Sequence, residues 1–223
     1  MRTAIFDLDG TLVDSAPDIV DAANMALADV GLGEIGLAAG RDMIGGGART
    51  LVQLAIGAAG GDVKDDAFVD RAFERFMIHY GAGSVAKSVL YPGVRETLER
   101  LGSMGIPMGV CTNKPHGISF AVLEGLDLMR HFRAVIGGDA LPERKPAAGH
   151  LRETIARTEP ATKSAIMIGD SATDVAAARN ANVPVVVVSY GYTKTPVASL
   201  GADAVIDRMS DLPDAMDRIW GQA

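Results

Sequence analysis

The sequence predicts an α/β protein: a doubly wound parallel sheet with an all-helical segment inserted near its start. Three observations carry that expectation. Short apolar strand patterns alternate with amphipathic helical patterns over residues 85–223, the signature of repeated strand–helix–strand units with right-handed crossovers. Between Asp14 and Ser84 helical patterns occur and strand patterns do not. The first four sheet strands each run out into polar or charged residues at one edge of the sheet, the edge where open α/β sheets take their ligands.

The first strand is the apolar run Ala4-Ile5-Phe6, which leads directly into Asp7, Asp9 and Gly10. Strand side chains alternate, so the two acids can leave the strand end on the same side, and Gly10 permits a sharp turn. Pro17 suits a helix start, and residues 17–30 place Ile19, Ala23, Ala26, Leu27 and Val30 at helical spacing. A glycine-rich stretch from Gly31 to Gly47 precedes a helix over 48–56, with Leu51, Val52, Ala55 and Ile56 apolar. Residues 65–80 carry Phe68, Ala72, Phe73, Phe76, Met77 and Tyr80 along one face, which reads as the core of the insertion. After an entry turn at Tyr91-Pro92-Gly93 the pattern alternates: helix 92–104, strand 107–111, helix 115–124, strand 134–136, helix 147–157, strand 164–168. It continues with helix 172–181, a fully apolar strand 185–188 as expected between covered faces, an edge strand 204–206 and helix 212–220. The expected division is a Rossmann-like core of residues 1–14 and 85–223, and a helical domain over 15–84.

Bulk properties narrow the function. The chain has 223 residues, 48% hydrophobic and 22% charged, with a net charge of −7. There is no basic run to track a phosphate backbone, so no nucleic-acid partner is expected. No apolar run approaches a membrane span, and the N-terminus enters the strand at once, so no membrane association or secretory leader is expected. Cys111 is the single cysteine, which allows no intrachain disulfide, fits a reducing cytoplasm, and reads as a small buried hydrophobe. His79, His116, His131 and His150 have no zinc-like spacing and read as surface or helix-face residues.

The strand ends carry the chemistry. Asp7, Asp9, Asp170 and Asp174 form a hard oxygen set of the kind magnesium prefers. Lys145 and Thr112 supply a cation and a hydroxyl for an anion. A phosphate bridging both halves could be attacked by an aspartate to give an aspartyl-phosphate. A second carboxyl must then protonate the leaving alcohol and activate water, and Asp9 is placed for that. In the insertion, Gly45-Gly46-Gly47 reads as a flexible connector or a substrate loop around Gly46. Arg49 reads as a helix-surface arginine or a carboxylate ligand.

Asp7-Leu8-Asp9-Gly10-Thr11 resembles the first motif of the haloacid dehalogenase superfamily, and Val110-Cys111-Thr112-Asn113-Lys114 the second. Lys145-Pro146 resembles the third and Gly169-Asp170-Ser171-Ala172-Thr173-Asp174 the fourth, while the span 15–84 is similar to the cap these proteins insert. The resemblance implies that Asp7 is nucleophile and magnesium ligand. It implies that Asp9 is general acid/base and binds magnesium through its carbonyl. Thr112, the Asn113 backbone and Lys145 would hold the phosphoryl group, Asp170 would bind magnesium, and Asp174 would orient that shell. An acid at Asp9 sets the chain apart from the dehalogenases and phosphonate-cleaving members. The segments Tyr91-Pro92-Gly93-Val94, Gly137-Gly138-Asp139, Leu141 to Pro146, Gly191-Tyr192 and Ile44 to Ala48 are most similar to the bacterial phosphoglycolate phosphatase family. One departure is Ala148, where that family usually has a second proline.

The resulting expectation is a magnesium-dependent phosphatase, cytoplasmic, monomeric or homodimeric. Its substrate would be a small phosphate ester, with 2-phosphoglycolate as the leading candidate. A sugar phosphomutase or pyrophosphatase on the same scaffold is the enzymatic alternative. A non-catalytic binding protein is disfavoured by the intact set of motif residues. A dinucleotide-binding protein is disfavoured because no G-x-G-x-x-G follows the first strand.

Overall fold

The structure is a computed structural model that describes residues 2–221. Met1, Gln222 and Ala223, which the sequence reading assigned to the core, lie outside the described residues. The chain forms β1 (Arg2–Phe6), β2 (Val13–Asp14), α1 (Ala16–Asp29), α2 (Leu37–Arg41), α3 (Ala48–Ala58), α4 (Asp66–Gly83) and β3 (Val89–Leu90). It continues with α5 (Val94–Ser103), β4 (Met108–Cys111), α6 (His116–Gly125), β5 (Ala134–Ile136), α7 (Ala148–Thr158), β6 (Ser164–Gly169) and α8 (Ala172–Ala181). The last elements are β7 (Val185–Val188), β8 (Ala204–Ile206) and α9 (Leu212–Gly221). Three short 3₁₀ turns, Met129–His131, Val197–Ser199 and Met209–Asp211, complete the set.

Six strands make one parallel sheet in the order β5-β4-β1-β6-β7-β8. β1 sits inside it, pairing Phe6 with Val110 of β4 on one side and with Ile168 of β6 on the other. The period-two alternation of these strands divides the core in two. Ile5, Cys111, Met167, Val185 and Val187 face α7 and α8. Ala4, Phe6, Val110, Ile166, Ile168, Val186 and Val188 pack with apolar residues of α5, α6 and α9. Both faces are covered, which is why the strands read as almost continuously apolar. The doubly wound sheet expected from the sequence is the one observed.

Between β2 and β3 the described elements are all helical. α1 packs along α4, α4 against α3, and α1 against α2. The expected aromatic stripe is present: Phe76 and Tyr80 are buried with ring centroids 5.2 Å apart, and Phe68, Phe73 and Met77 are partly buried against the same cluster. Two features were not legible in the sequence. β2 and β3 form an antiparallel ribbon, Val13 opposite Leu90 and Asp14 opposite Val89, at the point where the helical segment leaves and rejoins the sheet. Two-residue strands have no periodicity to read. α2 is a single turn within the glycine-rich stretch, where low helix propensity masks it. Among the described residues no helix is long and apolar enough to cross a membrane.

One close approach fixes how α7 lies on the sheet. A Cβ added to Gly109 of β4 would stand 2.1 Å from Thr158 Oγ1 at the end of α7 and 3.2 Å from Ile5 Cδ1 of β1. The Thr158 hydroxyl is buried and donates to the Thr154 carbonyl at 2.7 Å, so it cannot simply swing away. Gly109→Ala is therefore expected to destabilise the fold by about 1–3 kcal/mol through overpacking. Chemical denaturation checks this, and an unchanged midpoint would mean that α7 can slide.

Candidate active site

The site grows from the ends of β1, β4 and β6. As β1 ends, the Asp7 N–H donates to the Ile168 carbonyl at 2.8 Å, which locks the residue to β6. Asp7 Oδ1 accepts from the Leu8 N–H at 2.7 Å and lies 2.9 Å from Lys145 Nζ. No hydrogen bond among the described residues takes up Asp7 Oδ2, and Asp7 lines the adjoining cleft. Gly10 turns the chain with φ +83°, and a Cβ there would stand 2.4 Å from Asp170 Oδ2. Both the turn and the close approach require glycine.

Asp170 and Asp174 come from the β6–α8 junction. Asp170 Oδ2 accepts from the Tyr192 N–H at 2.7 Å, and Asp170 Oδ1 accepts from the Thr11 hydroxyl at 3.3 Å. Ser171 caps α8, and Asp174 closes the capping box. Asp174 Oδ2 accepts from Ser171 Oγ at 2.6 Å, from the Ser171 N–H at 3.1 Å and from the Asp170 N–H at 3.2 Å. Its other oxygen accepts from Lys145 Nζ at 2.7 Å. Lys145 thus stands between Asp7 and Asp174, fully surrounded. Asp7, Asp170 and Asp174 each offer an oxygen within 4.8 Å of the others. Three buried hard donors so placed suit a small divalent cation.

The β4 end supplies hydrogen-bond donors. Thr112 Oγ1 accepts from the Lys114 N–H at 3.2 Å, leaving the hydroxyl proton to donate. The Asn113 N–H donates to nothing among the described residues. The Asn113 side chain donates to the carbonyls of Gly45 and Lys145, each at 3.0 Å, and so ties the α2–α3 loop to the core. The cleft between these strand ends and the helical segment encloses about 630 Å³ including its open mouth.

Asp9 does not join the carboxylate cluster with its side chain. Its Oδ1 accepts from Ser15 Oγ at 2.5 Å and from Lys114 Nζ at 2.7 Å. Gly46 and Arg49 are not brought to the cleft. Gly45 and Gly47 line it instead, while the Cβ position of Gly46 faces Thr50. Arg49 is paired with Asp70 of α4 on an exposed face.

The sequence pattern of the haloacid dehalogenase-like hydrolases matches residues 4–188. The chain belongs to that family. It is 46% identical over 216 residues to the phosphoglycolate phosphatase of Rhodospirillum rubrum, spanning 96% of this chain and 90% of the relative. It is 41% identical over 213 residues to that of Agrobacterium fabrum, spanning 96% and 91%. A crystal structure from Haemophilus somnus, described as a predicted phosphoglycolate phosphatase, superposes with a TM-score of 0.88 at 32% identity and covers 96% of this chain and 97% of its own.

For this family member the charges of the cluster's own side chains are unbalanced. Burial pushes the Asp7 carboxyl up to about 6. Lys145 opposes that rise, and the charges of Asp174 and Asp9 add to it. Burial, then Asp174 and Asp7, hold Asp170 well above the usual carboxylate range. Burial alone would lower the Lys145 ammonium, but Asp174 and Asp7 more than offset it and hold it above its usual value. One lysine faces three buried acids, and the surplus negative charge is what a divalent cation would neutralise.

Four contacts were missed from sequence. Lys114 stood in a quoted motif, and its position at a strand end was signal enough. Thr11, Ser15 and Tyr192 gave no pattern from which their partners could be deduced. Cys111 is buried as expected, its Sγ 3.3 Å from His150 Nδ1. His150 lies on the inward face of α7, where its Nε2 is 3.1 Å from the Gly137 carbonyl.

A raised carboxyl favours the folded state only while protonated. That contribution is complete below about pH 3.8 and is lost as pH rises through about 6. A divalent cation bound at the cluster would take the place of the proton. Its addition is expected to raise Tm more at pH 8 than at pH 5, and an equal gain at both would count against the cluster as the binding place.

Proposed function

We propose that this chain is a magnesium-dependent phosphatase that hydrolyses 2-phosphoglycolate to glycolate and phosphate through an aspartyl-phosphate. The observation that carries the reading is the buried trio in which Lys145 bridges Asp7 and Asp174 beside Asp170, with Asp7 Oδ2 free at a cleft. The names and high coverage of the Rhodospirillum rubrum and Agrobacterium fabrum relatives support the substrate.

In this reading Asp7, Asp170, Asp174 and the Asp9 carbonyl would hold magnesium, which would supply positive charge against the phosphoryl oxygens. The Thr112 hydroxyl, the Asn113 N–H and the Lys145 ammonium seat those oxygens. Asp7 Oδ2 attacks phosphorus, a P–O bond to the carboxylate forms, and the bond to the glycolate oxygen breaks. Asp9 gives its proton to that oxygen. Asp9 then takes a proton from water, whose oxygen attacks phosphorus. The P–O bond to Asp7 breaks, releasing phosphate. Ser15 and Lys114 hold one oxygen of Asp9, leaving the other for proton transfer.

Residues 15–84 act in this reading as a cap over a catalytic core of residues 1–14 and 85–223. Leu12 to Ser15 form the hinge beside the β2–β3 ribbon. The Asn113–Gly45 bond and the Lys114–Tyr80 contact join the two across the cleft.

Asp7→Asn is expected to cut phosphate release by roughly a thousandfold or more while the protein stays folded. Asp9→Asn is expected to cost about 10²–10⁴-fold. Phosphate release and circular dichroism check both, and a near-normal rate in D7N would exclude Asp7 as nucleophile. EDTA is expected to stop turnover, magnesium to restore it, and calcium, with looser coordination, to restore little. Steady phosphate release in EDTA would sink the metal assignment.

A further inference from the structure

The cleft contains a cation that the proposed reaction leaves without a substrate contact. Lys114 follows Thr112 and Asn113 at the end of β4 and is 4% exposed. The other charged residues lining the cleft are Asp7, Asp9 and Asp170, so Lys114 is its single lining cation. Its Nζ donates to Asp9 Oδ1 at 2.7 Å and to the Tyr80 hydroxyl of α4. It also lies 4.7 Å from the centre of the Tyr80 ring. An ammonium has three N–H donors. Two are taken, and the third has no partner among the described residues. Leu51 and Phe76 line the same cleft, and such apolar walls strengthen any charge contact made there.

Position gives this cation its meaning. The other buried lysine, Lys145, is paired with Asp7 and Asp174, where the proposed reaction seats the phosphoryl group, and not with Asp9. Asp9 marks the leaving oxygen. Whatever is attached to the carbon of that oxygen must lie on the Asp9 side, against Lys114 and Tyr80. We propose that Lys114 selects phosphate esters whose alcohol carries a carboxylate one carbon from the ester oxygen. Its free N–H donates to that carboxylate. The Tyr80 hydroxyl, which accepts from Lys114, donates its own proton to the same group. A neutral hydroxyl in the same place could accept from the third donor but would offer the buried ammonium no opposite charge. This assignment rests on the phosphatase reading above and names the residue behind its substrate class.

The rival account is that Lys114 only steadies Asp9, and a ratio of two substrates separates them. kcat/KM is measured for 2-phosphoglycolate and for 2-hydroxyethyl phosphate, in wild type and in Lys114→Gln, which keeps a hydrogen-bonding side chain but removes the charge. Loss of Asp9 positioning affects both esters alike. The wild-type preference for 2-phosphoglycolate is expected to fall by about 10–100-fold in K114Q, chiefly through KM, as befits one charge-assisted hydrogen bond. Equal losses on both esters would overturn the assignment and leave the phosphatase reading standing. A wild-type protein with no preference between the esters would overturn the substrate reading and this assignment with it. Release of phosphate from neither ester would overturn the phosphatase reading itself. Should K114Q fail to fold, Tyr80→Phe serves in its place, since it keeps the cation but removes one donor to the carboxylate. A fall in preference of about threefold or more is then expected, and an unchanged preference would count against the proposal.

Discussion

The Lys145 ammonium, 2.9 Å from Asp7 and 2.7 Å from Asp174, is the contact on which the rest of the site depends. All three side chains are nearly out of water, and so is Asp170. Two charges taken from water recover their solvation only when geometry and further hydrogen bonds are good. Here Asp174 meets that demand by accepting from Ser171 Oγ and from two backbone N–H groups. Asp7 meets only part of it, with one backbone donor and an oxygen left free. The asymmetry is chemically useful. The fully bonded acid anchors the lysine, and the partly bonded one keeps the free oxygen that the proposed attack by Asp7 requires.

The sheet order explains how so much charge is assembled without disrupting the fold. β1 lies between β4 and β6, so Asp7 has the β4 donors on one flank and the β6–α8 acids on the other. The charged cluster stands at the carboxyl edge. Below it the middles of the strands are apolar on both faces, and α7 and α8 seal one side while α5, α6 and α9 seal the other. The dry sheet makes the edge costly to charge, which pushes Asp7 up to about 6 and holds Asp170 well above the usual carboxylate range. A site so arranged is unbalanced without a cation, and that imbalance favours binding one.

Chain order made much of this legible. Asp7 and Thr112 follow predicted strands directly and Asp170 comes one residue later, and a residue just past a parallel strand has few places to go; Lys145 lies further on, in the loop after 134–136. The fold class was legible for the same reason, since apolar runs and helical periodicity are local. Side-chain direction after the strand is set by tertiary packing. Nothing local says that the Asp9 carboxylate turns toward Ser15 and Lys114 while its neighbour two residues earlier turns toward Lys145. Tyr80 was hidden differently: its ring belongs to the apolar stripe of α4, and nothing in that stripe announces its contacts with Lys114. Arg49 follows a loop that lines the cleft, but the turn of α3 carries its guanidinium round to Asp70. The β2–β3 ribbon is too short to have a pattern.

Tyr192 shows why the helical segment and the acid cluster cannot be understood apart. Its N–H holds Asp170 Oδ2 at 2.7 Å. Its hydroxyl accepts from the Ser15 and Ala16 N–H groups at 2.8 and 3.1 Å, where α1 begins, and donates to Asp14 Oδ1 at 2.9 Å. Arg41 of α2 pairs with the same Asp14 and lies over the Tyr192 ring, its Cζ 5.5 Å from the ring centre. The first turn of α1 has no side-chain cap of its own, and the phenol takes that role. A shift of α1 that broke these bonds would expose two orphan N–H groups and loosen the residue whose backbone steadies Asp170. Ser15 also holds Asp9, so the carboxyl proposed as the acid/base would be released by the same movement. The place where the helical segment joins the sheet is therefore also the place where two of the four acids are kept in position.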